Sequence, residues 1–189
     1  MGTGRPLGST TESCPSTQSS YRAKRRLEKH YSNIESHRRK FQRRKLSAQV
    51  TEAKGERAAA RYMERHHPDF EMVSGFGMGT GFDQVWVKKD KNGKVEEFMI
   101  VEAKGPDAPL KKGYKKGDQM SKKWVKNSIQ EMRSSGDKEE RALGNSLHKA
   151  MNSKSGRPKV TGKAIQAVAG SDKANELKLP GGGTYKRYN

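Results

Sequence analysis

Gly81-Phe82-Asp83-Gln84-Val85-Trp86-Val87 and Phe98-Met99-Ile100-Val101-Glu102-Ala103-Lys104-Gly105 are two β-prone runs on either side of Lys91-Asn92-Gly93-Lys94. Asn-Gly between such runs is the strongest short-range hairpin signal, because both central residues of a type I′ turn need positive φ. With Asn92 and Gly93 as the loop, Lys91 faces Lys94, and counting back along both strands sets Asp83 opposite Glu102. Their Cβ atoms would then lie roughly 4.5–5.5 Å apart on one face of the sheet. Lys104, two residues past Glu102, points to that same face. A bulge would shift this register, so the pairing presumes a clean ladder.

Like charges facing each other are costly unless a cation sits between them. A hard divalent cation suits two carboxylates, magnesium in particular, which keeps several waters and takes one or two carboxylates. A lysine beside it could orient a water or neutralise charge developing on a phosphate. The plainer alternative is a surface salt bridge on an ordinary hairpin. Val85-Trp86-Val87 and Phe98-Met99-Ile100-Val101 are apolar on both faces, which instead implies a central, covered hairpin.

Composition narrows the partner. Only 30% of the 189 residues are hydrophobic while 40 Lys and Arg stand against 21 Asp and Glu, a net charge of +19. That balance points to a polyanion, either nucleic acid or an anionic membrane surface. No apolar run approaches the ~18 residues needed to span a bilayer, and no signal-peptide core or myristoylation pattern is present. A single cysteine, Cys14, allows neither an internal disulfide nor a thiolate zinc cage. Nucleic acid is the better fit.

Four segments follow from the order of the chain: a flexible leader (1–21), a basic arm (22–46), a compact domain (47–175) and a basic-aromatic tail (176–189). The leader is of the kind that links a domain to a longer delivery protein. Between Arg22 and Lys45, eleven Lys and Arg against two Glu give +9 of the total charge. Leu27, Tyr31, Ile34 and Phe41 fall at helical spacing there, so the arm is either an amphipathic helix or a solvated extension. Arg38, Arg39, Arg43 and Arg44 are its candidate phosphate contacts.

Ser47 to His67 reads as a helix capped by Ser47 and ended by Pro68, weakened by Gly55 by about 1 kcal/mol. Glu56 beside that glycine either reaches inward to a second metal or a metal-bound water, or is one more exposed helix glutamate. His66-His67 point in different directions and suit a helix end better than a metal pair. Phe70 to Phe76 reads as a strand, and the glycines after it let backbone approach Asp83. A basic loop (Lys111, Lys112, Lys115, Lys116) precedes a helix over 119–133 capped by Asp118, with Lys122 and Lys123 as further phosphate candidates and Trp124 as a core anchor. A helix over 137–151 and a strand over 159–169 complete the domain.

The order helix, strand, hairpin, helix, with Asp83, then Glu102-Ala103-Lys104, then Gln119, resembles the PD-(D/E)XK nuclease superfamily over roughly residues 47–133. The phrase Val101-Glu102-Ala103-Lys104-Gly105, followed by Gln119-Met120-Ser121 and Trp124, is similar to nuclease modules of bacterial polymorphic toxins. Phe82 stands where the family pattern has proline. The resemblance implies an α/β, restriction-endonuclease-like core and a magnesium-dependent DNA endonuclease, with Mn²⁺ as a substitute. It implies that Asp83, Glu102, Glu56 and the carbonyl of Ala103 hold metal, that Lys104 positions the attacking water, and that Gln119 supports the site. It also implies a delivered antibacterial effector, acting in the target-cell cytoplasm and restrained by a cognate immunity protein. The residues by themselves do not separate a DNA endonuclease from an RNase on the same scaffold, and a third reading is a nucleic-acid-binding protein without catalysis.

Overall fold

The computed structural model describes residues 17–37, 43–75, 81–113 and 115–185; Cys14, Arg38, Arg39, Phe41 and residues 76–80 lie outside them. Two helices, α1 (Thr17–His37) and α2 (Arg43–His66), lead into three strands, β1 (Phe70–Ser74), β2 (Gln84–Lys89) and β3 (Val95–Lys104). Then α3 (Lys122–Arg133) and α4 (Lys138–Met151) return the chain to β4 (Lys159–Ala167) and β5 (Ala174–Leu177). The strands lie side by side in sequence order as one mixed sheet. Every neighbouring pair is antiparallel except β3–β4, which is parallel and therefore needs the α3–α4 crossover. The fold is α/β, with helices on both faces and the 82–104 hairpin inside the sheet.

The hairpin reaches the expected register by an unexpected route. Among the three loop residues 91–93 only Gly93 has positive φ (78°), so the two-residue type I′ turn is not formed. Asp90 N–H instead donates to the Lys94 carbonyl at 2.8 Å, and the Asp90 carboxylate accepts from the N–H groups of Asn92 and Lys94. The longer loop adds one residue, and a bulge removes the offset, because Lys89 pairs with Val95 but Lys88 pairs with Glu97. From Lys88 back to Gln84, which pairs with Val101, the register is the one counted from the sequence.

Alternation along these strands divides two cores. Val85, Val87, Phe98 and Ile100 face α3 and α4, meeting Trp124, Ile129, Met132 and Leu147. Trp86, Met99 and Val101 face the other way, meeting Leu27 of α1 and Ala59, Ala60 and Met63 of α2. The basic arm thus enters the fold as α1: Leu27 is buried under the sheet, and Ile34 packs on Val50 and Ala53. Trp124 is a core anchor, edge-on to Phe82 at 5.6 Å between ring centroids.

Element ends differ from those read in the sequence. α2 begins at Arg43 and so passes through Ser47, whose carbonyl accepts from the Thr51 hydroxyl one turn on. α3 begins at Lys122, capped by the Ser121 hydroxyl; Asp118 instead accepts from the N–H of Gly113 and closes the basic loop. Asp137 caps α4, its carboxylate taking the Glu140 N–H. β5, short and largely polar, carries no period-2 apolar signal.

Gly55 has a packing role that outweighs its helix cost. A Cβ there would stand 2.7 Å from the Gly105 nitrogen and from the Lys104 carbonyl carbon. A Cβ on Gly105 would stand 2.4 Å from the Thr51 methyl. Two bare backbones therefore touch where α2 crosses the end of β3. Helix propensity alone makes Gly55→Ala stabilising by about 1 kcal/mol. Overpacking at this crossing opposes it, so we expect Gly55→Ala to lose about 1–3 kcal/mol in urea unfolding. A stabilised variant would show that α2 does not depend on this contact.

Candidate active site

The contact at Gly55 sits beside the place where β2 begins and β3 ends, and the candidate residues gather there. Asp83 precedes β2, half-buried, and its Oδ2 accepts the Ala103 N–H at 2.7 Å. The Asp83 and Glu102 carboxyls lie close enough to perturb each other's ionisation. Glu102 Oε1 also accepts from Lys104 Nζ at 2.8 Å and from Gln119 Nε2 at 2.5 Å. Glu102, Lys104 and Gln119 are all buried. The face they share is the α3 face, because Glu102 and Lys104 continue the alternation of Phe98 and Ile100.

Glu56 arrives from the α2 side. Only 3% of it is exposed, and its Oε2 has no hydrogen-bond partner. Its pKa is pushed up to about 9, first by burial and then by the charges of Asp83, Glu52 and Glu102. Burial, with Asp83 adding to it, likewise raises Glu102, against the pull of Lys104. Burial raises Asp83 too, opposed by the Ala103 N–H, the Glu102 hydrogen bond and Lys104. Three carboxyl groups thus crowd one ammonium, an arrangement that disfavours ionising all three together.

A second set of residues holds this group in place. Gln84, fully buried, donates through Nε2 to the Glu56 carbonyl at 2.6 Å and accepts the Trp86 indole N–H at 3.0 Å. Gln119 does not lie in α3 but before it, where its Oε1 accepts the Lys111 N–H at 3.1 Å and its own N–H donates to the Lys111 carbonyl. Met120 next to it is held at φ 63°, rare for a residue with a side chain. The hydroxyl of Tyr185 donates to the Met120 carbonyl at 2.8 Å. Tyr185, read from sequence as part of a tail, is therefore a buried brace behind Gln119.

Sequence reading did not single out Gln84, Glu52 or Tyr185. Gln84 could have been noticed as the one amide inside an apolar run, and Glu52 as one helical turn before Glu56. Tyr185 stands two residues past Gly183, the last of three consecutive glycines, and gave no comparable signal.

The other expected residues are placed as follows. Lys112, Lys115 and Lys123 are exposed, and Lys116 pairs with Glu131. The Lys111 backbone is clasped to Gln119, and Lys122 opens α3 half-buried. Arg43 and Arg44 open α2, whereas Arg38 and Arg39 lie outside the described residues. His66 packs on the Tyr62 ring at 4.3 Å and His67 meets Phe70 edge-on at 5.9 Å, so both rings are used in packing.

Among the described residues, no group of three His, Cys, Asp or Glu side chains is disposed to hold a metal ion, and no helix is long and apolar enough to cross a membrane. A magnesium site does not need three: one or two carboxylates with waters suffice. The Asp83–Glu102 pair and the orphaned Oε2 of Glu56 are donors of that hard, anionic kind. No family model, no curated protein and no solved structure matches this chain.

The raised carboxyls fix a pH dependence. Glu56 keeps its proton in the fold up to about pH 9, whereas the unfolded chain loses it near 4.5. Between those values unfolding releases a proton, so stability falls as pH rises. In EDTA, the melting temperature of Glu56→Gln should fall less from pH 5.5 to 8.5 than that of the wild type, by about 10 °C. Equal slopes would mean that Glu56 titrates normally. Tyr185→Phe should cost about 1–3 kcal/mol, since it strands a buried carbonyl. A wild-type unfolding midpoint would remove Tyr185 from the brace.

Proposed function

We propose that this chain is a metal-dependent endonuclease of the PD-(D/E)XK type, hydrolysing phosphodiester bonds in DNA. The carrying observation is the convergence of Asp83, Glu102, Lys104 and Gln119, with Glu56 coupled to them, at one end of the sheet. Carboxyls that cannot all ionise against one lysine suit a cation-binding centre. The mixed sheet with helices on both faces supports a restriction-endonuclease-like core. The resemblance of Val101–Gly105 to toxin nuclease modules supports a delivered effector with an immunity partner.

In this reading Asp83, Glu102 and the Ala103 carbonyl would hold Mg²⁺, or Mn²⁺ in its place, with Glu56 accepting from a water of that cation rather than binding it directly. Such a cation supplies Lewis acidity at the phosphate and acidifies a water. The chain's own groups do the rest. The Ala103 N–H fixes the Asp83 carboxylate, and Gln119 fixes Glu102. Lys104 Nζ, now on Glu102, orients the attacking water and offsets charge on the phosphoryl oxygens. In-line attack of water on phosphorus breaks one P–O ester bond, leaving a phosphate monoester and a free hydroxyl.

Plasmid cleavage tests this directly. We expect nicking with Mg²⁺, none with EDTA, and a loss of at least about 100-fold in Asp83→Ala and in Lys104→Ala. Cleavage that survives EDTA or both substitutions would overturn the assignment. Total RNA cut in place of plasmid would keep the site and change the substrate to RNA.

A further inference from the structure

α2 turns Glu56 toward the end of the sheet but presents Lys54, Arg57 and Arg61 to a groove of about 690 Å³. The facing wall is the 167–172 stretch joining β4 to β5. Tyr31 of α1 and Pro106, two residues past Lys104, also line the groove. Its size is that of a ligand cleft, roughly 300–1,000 Å³. A second hollow of about 250 Å³ shares Ala58, Arg61 and Asp172 with it and adds Arg65 and Lys173.

Residues 54, 57, 61 and 65 recur at helical spacing, so the cations form one stripe. At 1.5 Å per residue the stripe is about 16 Å long, too long for one phosphate and suited to several in a chain. Arg57 is set in advance. Its guanidinium lies over the Tyr31 ring, 4.6 Å from the centroid, and its buried Nε has no hydrogen-bond partner. Glu28 Oε1, at 3.7 Å, is too distant to accept from it. Arg61 pairs with Asp172 at 2.9 Å, and among the described residues Asp172 is the only acidic side chain lining either hollow. An exposed pair of this kind exchanges readily for a phosphate. A basic groove with aromatic side chains beside it is how single strands are held.

We propose that this groove binds a nucleic-acid strand through consecutive backbone phosphates, as a track leading to the end of β3. The proposal rests on the nuclease reading for its substrate class, and places the strand on the α2 flank, apart from the lysines of the 111–116 loop.

The test uses the full chain carrying Lys104→Ala, in EDTA, so that binding is read without cleavage. Anisotropy of a short fluorescein-labelled oligodeoxynucleotide is measured across a salt series. Lys54→Gln, Arg57→Gln and Arg61→Gln together should weaken binding about 10- to 100-fold and reduce the log–log salt slope by about 2. Lys91→Gln, Lys94→Gln and Lys154→Gln together remove the same charge at the opposite end of the sheet, and should change affinity less than about threefold. Lys54→Gln with Arg61→Gln spares the Arg57–Tyr31 packing and should still lower the slope by about 1.4, which covers unfolding of the triple variant. Equal losses in the two triple variants, or an unchanged slope in the groove variants, overturn the track. Plasmid cleavage by the wild type separates the two readings. Intact cleavage with unchanged groove binding sinks only the track, and absent cleavage with lost groove binding sinks only the nuclease.

Discussion

The β2–β3 ladder cannot slip by one residue without sending Asp83 to one face of the sheet and Glu102 to the other. Everything at the candidate site inherits this constraint. Register here is held twice over, by the apolar faces that must meet separate helix layers and by the bulge that cancels the extra loop residue. The two faces enforce it strongly, since a slip would also turn either Trp86 or Met99 out of the α2 core and into the α3 core. Pairing of Asp83 with Glu102 is thus a consequence of burying Val85, Trp86 and Val87, all fully covered.

That register concentrates negative charge where water is scarce. Glu56, Glu102 and Asp83 are each pushed toward the protonated form chiefly by burial, and Lys104 offsets only part of their charge. A chain selected for stability alone would place apolar side chains at such positions. Here the surrounding polar groups are organised to keep the carboxyls aimed. Trp86 holds Gln84, Gln84 holds the Glu56 backbone, Tyr185 holds Met120, and Gln119 beside it holds Glu102. Each link fixes the next without neutralising the cluster, which is the behaviour expected of a site that stores electrostatic strain for a ligand.

How much of this was legible in the sequence depended on the range of the signal. Alternation and the Asn-Gly turn located the central hairpin, and helical spacing located α2, α3 and α4. The turn geometry was misjudged because a three-residue loop with a bulge leaves the same distant register as a two-residue loop. The start of α3 was misjudged because Asp118 and Ser121 are both good caps, and only the hydroxyl of Ser121 meets the first turn. Glu56 stayed ambiguous because its inward turn depends on Gly55 meeting Gly105, a contact between positions fifty residues apart. Tyr185 and β5 were beyond reach for a similar reason. Neither has a local pattern, and each is fixed by contacts distant in sequence, β5 by pairing with β4 and Tyr185 by Val160 and Met120.

Charge on α1 and α2 shows how a chain with a net charge of +19 stays compact. Lys24 pairs with Glu64 at 2.6 Å, and Arg26 approaches Glu139 at 3.9 Å, so part of the α1 charge is spent docking that helix beside its buried Leu27. Such exposed pairs each contribute little, and the apolar stripe does most of the docking. Along α2 the balance differs: Lys54 and Arg65 are exposed, Arg57 and Arg61 half-exposed, and one aspartate faces them from across the hollows. Glu28 and Asp172 offset only part of the charge on this flank, and the remaining like charges raise the energy of the free protein. A bound polyanion relieves that repulsion and releases its own counterions, so the same stripe that costs stability alone favours the complex.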